Sequence, residues 1–429
     1  MDYKSARQKF DNKENVIIVS SYPGRGFSNV SGVAIYTFHM LKELKSILGL
    51  NSRKVLLFSD ILSEAEEGFE EKDGMLLNRC WKRKSPFVFN QLVKSIKRFS
   101  RTERILFHFE FNMYANIFVA GLLPLYLFFL TRIKKKNITL LLHQVVENIN
   151  ELSGHLDMKP GSLKSLVLGT LLRTYYKALL FSVTKTIVHD EVLKARLSKI
   201  TARPVFVISH GLGEHGQVCD REDARKKLDI LDKEFVVLCF GFLAWYKGSD
   251  WVADQFIDYY KTSEDATVKL ILAGGRSPTL KGKSHYDKYY EDLKKRVEEY
   301  PNIEITGFVP EDQVHLYYCA SDMVLLPYRT QMSASGPFSK GLAYGRPFLL
   351  SKNLEGVLEN DDVKDLMGKH SLSKTDLTFE LNQEDLFKKI AMLVNDKDKV
   401  KELAAFSVAL SVERDWNRVV KQFLMVIDA

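Results

Sequence analysis

Short apolar runs rich in β-branched residues alternate with amphipathic segments along the whole chain, and each run ends in polar residues. The run "NVIIVSSYPG" ends in Pro-Gly, and the next segment has apolar side chains at helical spacing, at Val33, Tyr36, Met40 and Leu44. Continuous apolar strands separated by helices indicate a parallel sheet that is covered on both faces. The pattern therefore predicts an α/β fold.

The pattern occurs twice along the chain. Runs from "NVIIV" to "PVFVISHGL" lead to a polar segment, "CDREDARKKLDILDKE", and further runs follow it, from "FVVLCFGFL" to "RPFLLS". A chain of 429 residues is long for one core and suits two domains of roughly 200 residues each. We expect two Rossmann-like doubly wound domains, residues 1–212 and 213–412, facing across a cleft. In such sheets, ligands bind beyond the carboxyl ends of the strands.

Composition and charge limit the location and the partners of the chain. The net charge of +8 favours anionic partners, among them nucleotide phosphates and an acidic membrane surface. The first residues lack the apolar core of a signal peptide. The longest apolar run, Ile117–Leu130, has 14 residues, fewer than the roughly 20 that span a bilayer. We therefore expect a cytoplasmic protein, either soluble or peripheral at the inner face of the cell membrane.

Two loops of the second half are candidates for binding phosphate. "GFLAWYKGSDW" joins a strand to a helix and places Lys247 next to Gly248, where the helix begins. A helix start attracts anions through its free N–H groups and its dipole, and the lysine adds a full charge. "SASGPF", Ser333–Phe338, has small residues that allow backbone N–H groups to approach a ligand. The alternative for the first loop is an ordinary turn with a solvated lysine.

The order and spacing of these segments resemble a known family. "GFL…YKG", "LILAGG", "NIEITGFVPEDQVHLYYCASDMVLLPY" and "GLAYGRPFLLS" resemble the donor half of retaining glycosyltransferases of family 4, which have the GT-B fold. In the first half, "SYPGRGFSNVSGVAIYTFHMLKEL" and "ITLLLHQVVE" are similar to the family's glycine loop and to its strand that ends in a histidine. The final "RDWNRVVKQFLMVI" resembles the helix that crosses back onto the first domain, here residues 413–429.

The resemblance implies a retaining, metal-independent hexosyltransferase whose nucleotide-sugar donor, UDP- or GDP-linked, is a substrate and not a cofactor. Lys247 matches the family's lysine that binds the β-phosphate, where a cation stabilises the leaving diphosphate. Phe242 stands where relatives often carry the second basic residue. Arg329 is therefore the expected substitute, and Arg276 is a weaker one.

The donor loop departs from the pattern of many relatives, which have two glutamates separated by seven residues. Met332 and Lys340 occupy those places here. A subset of relatives has a serine-glycine loop instead, and "SASGPFSKGLAYG" resembles that subset. This likeness implies that donor phosphate is held by backbone N–H groups near Gly336, in the segment formed by Ser335, Gly336, Pro337 and Phe338.

Strand ends of the first half supply further candidates. The family places a histidine at the position of His143, where it faces the cleft and positions the sugar. The alternative is a polar residue hydrogen-bonded to a neighbouring loop. His189 and His210 also end strands on the inter-domain side. Glu110 follows a strand and either reaches the acceptor hydroxyl or makes a structural hydrogen bond.

Gly32 lies at the start of the first long amphipathic segment. The resemblance implies that its backbone comes close to donor phosphate or acceptor. The alternative is a simple helix start capped by Ser31 or Asn29.

Basic residues suggest where a membrane-bound acceptor would lie. In residues 90–104, Leu92, Ile96 and Phe99 fall on one side and most lysines and arginines elsewhere, and residues 134–136 are three further lysines. A basic amphipathic helix of this kind can lie on an anionic membrane. The alternative is that the apolar side packs on the sheet and the lysines are merely solvated.

Two functions from different classes follow. The first is transfer of a hexose from a nucleotide-sugar to a saccharide or lipid-linked glycan acceptor. The second is a catalytically silent GT-B partner or scaffold in a glycan assembly complex, which the missing glutamates and Phe242 motivate. A sugar-nucleotide epimerase needs cleft carboxylates that the sequence does not supply. The basic residues are not interleaved with a nucleic-acid reader motif, so no nucleic-acid partner is expected.

Overall fold

Two largely parallel sheets, one after the other along the chain, organise the fold. The computed structural model describes residues 1–24, 31–50, 52–63, 66–111, 113–114, 116–149, 159, 161–213, 220–262, 267–277, 280–331 and 335–429. The first sheet has the strand order β3-β4-β2-β1-β5-β6-β7-β8, and the second has the order β11-β10-β9-β12-β13-β14. The predicted α/β architecture with parallel sheets is confirmed.

The first sheet is parallel except for β3, which pairs with β4 in the antiparallel sense. Its central strands are buried along their whole length, as the uninterrupted apolar runs require. The strands are β1 Val16–Val19, β2 Val55–Asp60, β3 Gly68–Lys72, β4 Met75–Trp81, β5 Arg104–Phe109, β6 Asn137–Leu142, β7 Lys185–Val188 and β8 Val205–Val207.

Helices cover both faces of the first sheet and bury apolar side chains against it. Phe129–Ile133 continues the fifth helix as a π-helical turn. The α-helices are α1 Tyr3–Phe10, α2 Gly32–Leu50, α3 Val88–Lys97, α4 Ile117–Ala120, α5 Leu123–Phe128, α6 Leu163–Phe181 and α7 Glu191–Ser198.

The second sheet is parallel throughout its described strands. These are β9 Phe235–Phe240, β10 Val268–Ala273, β11 Ile303–Ile305, β12 Met323–Leu326, β13 Phe348–Ser351 and β14 Thr378–Phe379. The surrounding α-helices are α8 Arg221–Lys227, α9 Ser249–Thr262, α10 Ser284–Val297, α11 Val314–Ala320, α12 Gly336–Ala343, α13 Asp361–Lys369, α14 Lys374–Leu377, α15 Gln383–Asn395 and α16 Lys397–Glu413. Trp245–Lys247 and Lys352–Glu359 form 3-10 turns.

The last helix, α17 (Trp416–Asp428), returns to the first sheet. Its buried face belongs to the same core cluster as Tyr36 and Met40 of α2. A methyl group on Gly211 would lie 2.4 Å from a ring carbon of Trp416, so only glycine fits beneath this indole. Arg53 adds a bidentate ion pair with Asp428, with both N···O distances at 2.8 Å.

Buried polar contacts join the two domains near the carboxyl ends of β7 and β8. The Asn360 side chain accepts a hydrogen bond from the Glu191 N–H and donates to the His189 carbonyl and to the Ser209 hydroxyl. Gln331 Nε2 donates to Asp190 at 2.8 Å. The carboxyl edges of the two sheets therefore line a common cleft.

Helix α3 decides between the two interpretations of the basic segment 90–104. Leu92, Ile96 and Phe99 are all buried in the core of the first domain. The apolar side of this segment thus packs on the sheet and is not free to enter a membrane.

Replacing Trp416 with alanine should lower the free energy of unfolding by about 3–5 kcal/mol, because a large buried side chain is lost from the junction between α17 and the first sheet. Met425 lies on the same helix but is 65% exposed. Met425→Ala should change stability by less than about 0.5 kcal/mol. Urea denaturation followed by circular dichroism measures both variants, and equal losses would contradict the packing of α17.

Candidate active site in the inter-domain cleft

Lys247 ends the 3-10 turn that connects β9 to α9. Gly248, the next residue, has a φ of 71°, and a methyl group there would lie 2.0 Å from the Pro327 carbonyl oxygen. Gly241 at the end of β9 has a φ of 104°, and a methyl group there would lie 2.8 Å from Lys247 Nζ. These two glycines allow the turn to fold tightly and direct the lysine side chain back over the strand end.

The ammonium group of Lys247 is enclosed without a carboxylate. Its Nζ lies 6.0 Å from the centroid of the Tyr328 ring, and it shares a pocket with Gly241, Tyr328 and Pro337. Among the residues that the structure describes, no acidic side chain pairs with it. Burial lowers the pKa of Lys247 to about 8. A cation desolvated in this way is ready to bind an anion.

The start of α12 lies beside this ammonium group. Pro337 Cγ is 3.3 Å from the point where a methyl group on Gly241 would stand, on the side that also faces Lys247 Nζ. Ser335 caps the helix: its Oγ accepts a hydrogen bond from the Phe338 N–H at 3.3 Å and is 3.1 Å from Tyr328 Oη. The N–H of Gly336 has no partner among the described residues. A helix start with one unpartnered N–H therefore lies beside the cation at the carboxyl edge of the second sheet.

Phe338 does not take the predicted donor-binding role. Its ring is buried and packs edge-on against Phe348, with centroids 4.8 Å apart, and its N–H is occupied by the Ser335 cap. Phe242 is 36% exposed at the end of β9 and leaves an apolar ring at the place of the family's arginine. Met332 and Ser333 lie outside the described residues.

Arg329 is not the basic partner that the sequence suggested. Both of its terminal nitrogens bind the Asp250 carboxylate at 2.8 Å, and one of them also donates to the Trp245 carbonyl. Its guanidinium lies over the Trp245 ring, 4.8 Å from the centroid. Since Asp250 neutralises the charge, Arg329 fixes the loop after β12 to α9 instead of offering a free cation.

The two remaining cations considered for this region are also paired. Arg276 binds Asp287 at 3.0 Å and also binds Glu291. Lys340, in the place of a glutamate of many relatives, forms an ion pair with Glu311. Of the cations proposed from the sequence, only Lys247 therefore keeps an uncompensated charge among the described residues.

Gly32 begins α2 and is exposed, and a methyl group there would meet nothing within 4 Å. The Ser31 hydroxyl accepts a hydrogen bond from the Ala34 N–H at 3.2 Å, as a helix cap does. The capped helix start considered as the alternative for Gly32 is thus present. Residues 25–30, the loop before it, lie outside the described residues.

Four histidines gather at the carboxyl ends of consecutive strands of the first sheet. His143 Nε2 is 3.2 Å from His108 Nδ1, and His143 Nδ1 is 3.2 Å from His189 Nε2. His189 Nδ1 is 3.1 Å from the Ile208 carbonyl oxygen. The Tyr36 ring packs against all four, with the His210 centroid 4.8 Å away.

The Ile208 carbonyl determines the direction of this histidine chain. A carbonyl can only accept, so His189 must carry its proton on Nδ1 and present Nε2 as an acceptor. The Nδ1–H of His143 then donates to His189 Nε2. The Nδ1–H of His108 donates in the same way to His143 Nε2. The chain ends at His108 Nε2, a buried atom without a hydrogen-bond partner. In this arrangement every imidazole is neutral.

Burial keeps the cluster neutral at ordinary pH. It lowers the pKa of His108 to about 3, that of His189 to about 4 and that of His210 to about 3, and the neighbouring His189 adds to the effect on His108 and His210. The pKa of His143 is also lowered well below its usual range by burial.

Both ring nitrogens of His143 lie 3.2 Å from other histidines, so a sugar contact would have to replace one of these hydrogen bonds. The sugar-positioning role of His143 stays a prediction. The alternative of a hydrogen-bonded strand-end residue describes His143 in this structure, although the partners are His108 and His189 instead of a loop. His108 was missed by sequence reasoning. The recurrence of a histidine near the end of four successive strands was the available signal.

Glu110 directly follows β5, at the carboxyl edge of the first sheet. Its side chain accepts no hydrogen bond from the residues that the structure describes, so the structural hydrogen bond considered as an alternative is not found. Burial raises the pKa of Glu110 to about 7. Burial raises the pKa of Tyr246, the residue next to Lys247, and the Glu110 charge adds to this shift. Glu110 thus lies across the cleft from the cationic turn.

Comparison with known sequences supports the interpretation of the second domain. Residues 234–396 match the family model described as glycosyl transferases group 1. The alpha-monoglucosyldiacylglycerol synthase of Acholeplasma laidlawii is 28% identical over 160 residues, which are 37% of this chain and 35% of that protein. The chain thus spans about a third of the length of this curated relative.

Solved structures match nearly the whole chain. Sucrose-phosphate synthase from Thermosynechococcus elongatus aligns with a TM-score of 0.68 at 15% identity and covers 97% of this chain and 98% of its own. HepE of Anabaena, in complex with UDP-glucose, aligns with a TM-score of 0.65 at 15% identity. That alignment covers 96% of this chain and 99% of the HepE chain. The predicted two-domain GT-B fold and the resemblance to glycosyltransferases are confirmed.

Acidification should destabilise this protein through the histidine cluster. The native histidines stay neutral, whereas unfolded histidines take up protons below about pH 6.5, so stability is lost as the pH falls. His108→Asn keeps a donor near the Nδ1 position and removes one titrating group. The loss of unfolding free energy between pH 7 and pH 5 should be about 2 kcal/mol smaller in this variant.

Tyr36→Phe is the matched control, because it alters the same cluster without removing an imidazole. It should keep the pH dependence of the wild type in urea titrations. An identical pH dependence for wild type and His108→Asn would contradict the neutral histidine chain.

Proposed function

We propose that this chain, whose residues 234–396 match the glycosyl transferases group 1 family, is a retaining glycosyltransferase that transfers a hexose from a nucleotide-sugar. The observation that carries the proposal is the enclosed, unpaired ammonium group of Lys247 beside the start of α12. Such a site suits a diphosphate. HepE, which has the same fold, is described as a complex with UDP-glucose.

In the proposed reaction the chain itself supplies the charge that stabilises the leaving group. The ammonium of Lys247 and the N–H of Gly336 bind oxygens of the diphosphate as the glycosidic bond breaks. No metal ion is required in this scheme, since the lysine takes the role that a divalent cation has in other transferases. The acceptor hydroxyl oxygen bonds to the anomeric carbon as the bond from that carbon to the diphosphate breaks, and the departing phosphate receives the acceptor proton. The product keeps the anomeric configuration of the donor.

Glu110 orients the acceptor in this scheme. It lies at the carboxyl edge of the first sheet, across from Tyr246 and Lys247, and its carboxyl has no competing partner among the described residues. With a pKa of about 7, both of its protonation states are populated at neutral pH. It can therefore hold an acceptor hydroxyl by accepting or donating a hydrogen bond.

The acceptor is proposed to be a saccharide or a lipid-linked glycan. The relative from Acholeplasma laidlawii is named for a glucosylated diacylglycerol, and this name favours an acceptor with a lipid part. UDP is the first nucleotide to test because of the HepE complex, and GDP is the second.

A silent GT-B partner protein is the second candidate. It is favoured by the engagement of Arg329 with Asp250 and of Lys340 with Glu311, which leaves the donor loop with a single free cation among the described residues. Nucleotide binding separates the two functions, because a silent partner has no need to bind UDP or UDP-glucose.

Lys247→Ala should weaken UDP binding by about 30- to 150-fold, since a charge-assisted hydrogen bond to a phosphate oxygen contributes about 2–3 kcal/mol. Isothermal titration calorimetry with UDP and GDP measures this change. Lys294→Ala removes the same charge from the exposed side of α10 and should leave the affinity unchanged. If UDP and GDP give no heat with the wild type, the silent partner is the better description.

The affinity for UDP should also fall above pH 8. Lys247 loses its proton there in the free protein, so binding must first restore the charge. The dissociation constant should rise about tenfold per pH unit between about pH 8 and pH 10. In Lys247→Arg the guanidinium stays charged, and the rise should disappear. A wild-type affinity that is constant between pH 7 and pH 9.5 would rule out the proposed role of the ammonium.

A further inference from the structure

The first domain exposes a large apolar surface on the helices that follow β5 and β6. We call it the apolar ridge. Its residues on α4, α5 and the turns next to them are Phe118, Leu122, Leu125, Phe128 and Ile133. Its residues on α6 are Leu163, Leu166, Val167, Leu171 and Phe181. We propose that the apolar ridge docks onto the surface of an anionic lipid bilayer.

The fold does not account for this exposure. Phe118 is 84% exposed, Leu125 68% and Leu163 79%, although the other sides of these helices already fill the core through Leu127 and Leu179. Half of the exposed large apolar side chains in the described part of the chain belong to the ridge. Helices that are apolar on both sides indicate a second apolar environment outside the domain.

The two halves of the ridge form one continuous surface. Helices α5 and α6 pack side by side. Phe128 and Phe181 stack with their ring centroids 6.0 Å apart and an interplanar angle of 14°. No helix in the described part of the chain is long and apolar enough to cross a bilayer, so the ridge is suited to lie on a membrane and not to span it.

The segments that carry the ridge have basic side chains and no acidic ones. Residues 111–146 and 161–189 contain no aspartate or glutamate, although the whole chain has 54 acidic residues. The basic side chains that are exposed in these segments are Arg132, Lys134, Lys135, Lys164, Arg173 and Lys177. Arg132 and Arg203 flank Phe181, at 5.8 and 5.1 Å from its ring centroid. Long basic side chains beside an apolar surface reach lipid phosphates while the apolar residues enter the acyl region.

A neighbouring basic cavity extends this positive field. It lies between α1, α3 and α5 and contains the basic residues Arg7, Lys94, Lys97 and Arg98, together with Tyr126 of α5. Lys97 Nζ is 5.9 Å from the centroid of Phe129, beside the ridge. Segment 90–104 thus provides charge, whereas the apolar contact comes from α4–α6. The sequence places the membrane surface at residues 90–104 and 134–136, and the apolar part of that surface is here moved to α4–α6.

Charge complementarity favours a lipid surface over a protein partner. The core of a protein interface is generally poor in lysine, and a protein partner would need a matching acidic rim. A bilayer rich in anionic lipid satisfies every cation along the ridge at once. Lys136 is the exception among the three lysines expected there, because it is buried and donates to the carbonyls of Phe99, Ser100 and Thr102.

The ridge also reaches the cleft. Helices that follow parallel strands begin at the carboxyl edge of the sheet, so Phe118 and Leu163 lie at the same edge as Glu110. Docking through the ridge would bring the cleft to the lipid surface. If the proposed transferase function holds, an acceptor embedded in that layer is the natural one, although the docking itself does not depend on catalysis.

Flotation with phospholipid vesicles tests the docking. The full chain should float with vesicles that contain phosphatidylglycerol at least about tenfold more than with pure phosphatidylcholine vesicles. About 0.5 M NaCl should reduce the binding, because it screens the basic flank. The variant Leu125→Ser, Leu166→Ser, Leu171→Ser should lose at least about tenfold of the binding to anionic vesicles.

Leu231→Ser, Val412→Ser, Met425→Ser is the matched control, since these exposed apolar side chains lie outside the ridge, and it should bind like the wild type. The UDP affinity of the ridge variant, measured in parallel, reports on folding and on the proposed function independently of lipid. Docking is overturned if the ridge variant floats like the wild type, or if the wild type stays unbound with anionic vesicles. It is also overturned if the ridge mediates only self-association, detected as a dimer by light scattering that the ridge variant lacks.

Discussion

The buried side chain of Asn360 makes three of the contacts that hold the carboxyl edges of the two sheets together. Its oxygen accepts from the Glu191 N–H, and its nitrogen donates to the His189 carbonyl and the Ser209 hydroxyl. A buried amide that satisfies three groups of the other domain is costly to break, because each group would be left unpaired. Close packing supports this contact, since a methyl group on Gly356 would lie 1.7 Å from Val192 Cγ2. The geometry of the cleft depends on this junction.

The same junction encloses the histidine chain. The carbonyl that receives a hydrogen bond from Asn360 belongs to His189, whose ring is a member of the chain. Trp416 closes the cluster from the other side, 4.8 Å from the Tyr36 centroid. The neutral histidines, the returning helix α17 and the contact between domains are therefore parts of one packed unit. We interpret the hydrogen-bonded row of His108, His143 and His189 as a structural device. Their ring nitrogens, apart from the buried His108 Nε2, are directed at protein groups or at one another.

The uneven distribution of charge gives the cleft its chemical character. Arginines and lysines of the donor side are mostly neutralised by carboxylates, as Arg329 is by Asp250, whereas Lys247 is desolvated beside a helix start. A cation without a partner in a polar, enclosed place is unfavourable in the free protein and becomes favourable when an anion binds. On the opposite wall, Glu110 has no hydrogen bond within the described part of the chain. We propose that this pair of unsatisfied groups marks the place of the reaction, and that the apolar ridge brings it to a lipid surface.

The sequence by itself determined the two parallel sheets, the position of Lys247 at a strand-to-helix turn, and the likeness to glycosyltransferases, because apolar periodicity and glycine spacing are local properties of the chain. Tertiary structure alone decided which candidates are free to act. The charge of Arg329 is neutralised by Asp250, 79 residues away. The ring nitrogens of His143 lie beside histidines of two other strands. The apolar side chains of residues 118–130 lie partly in the core and partly at the surface, because only the packing of α5 on α6 determines which side of each helix is covered. Pairings of this kind join residues far apart in the chain, so no local pattern could reveal them.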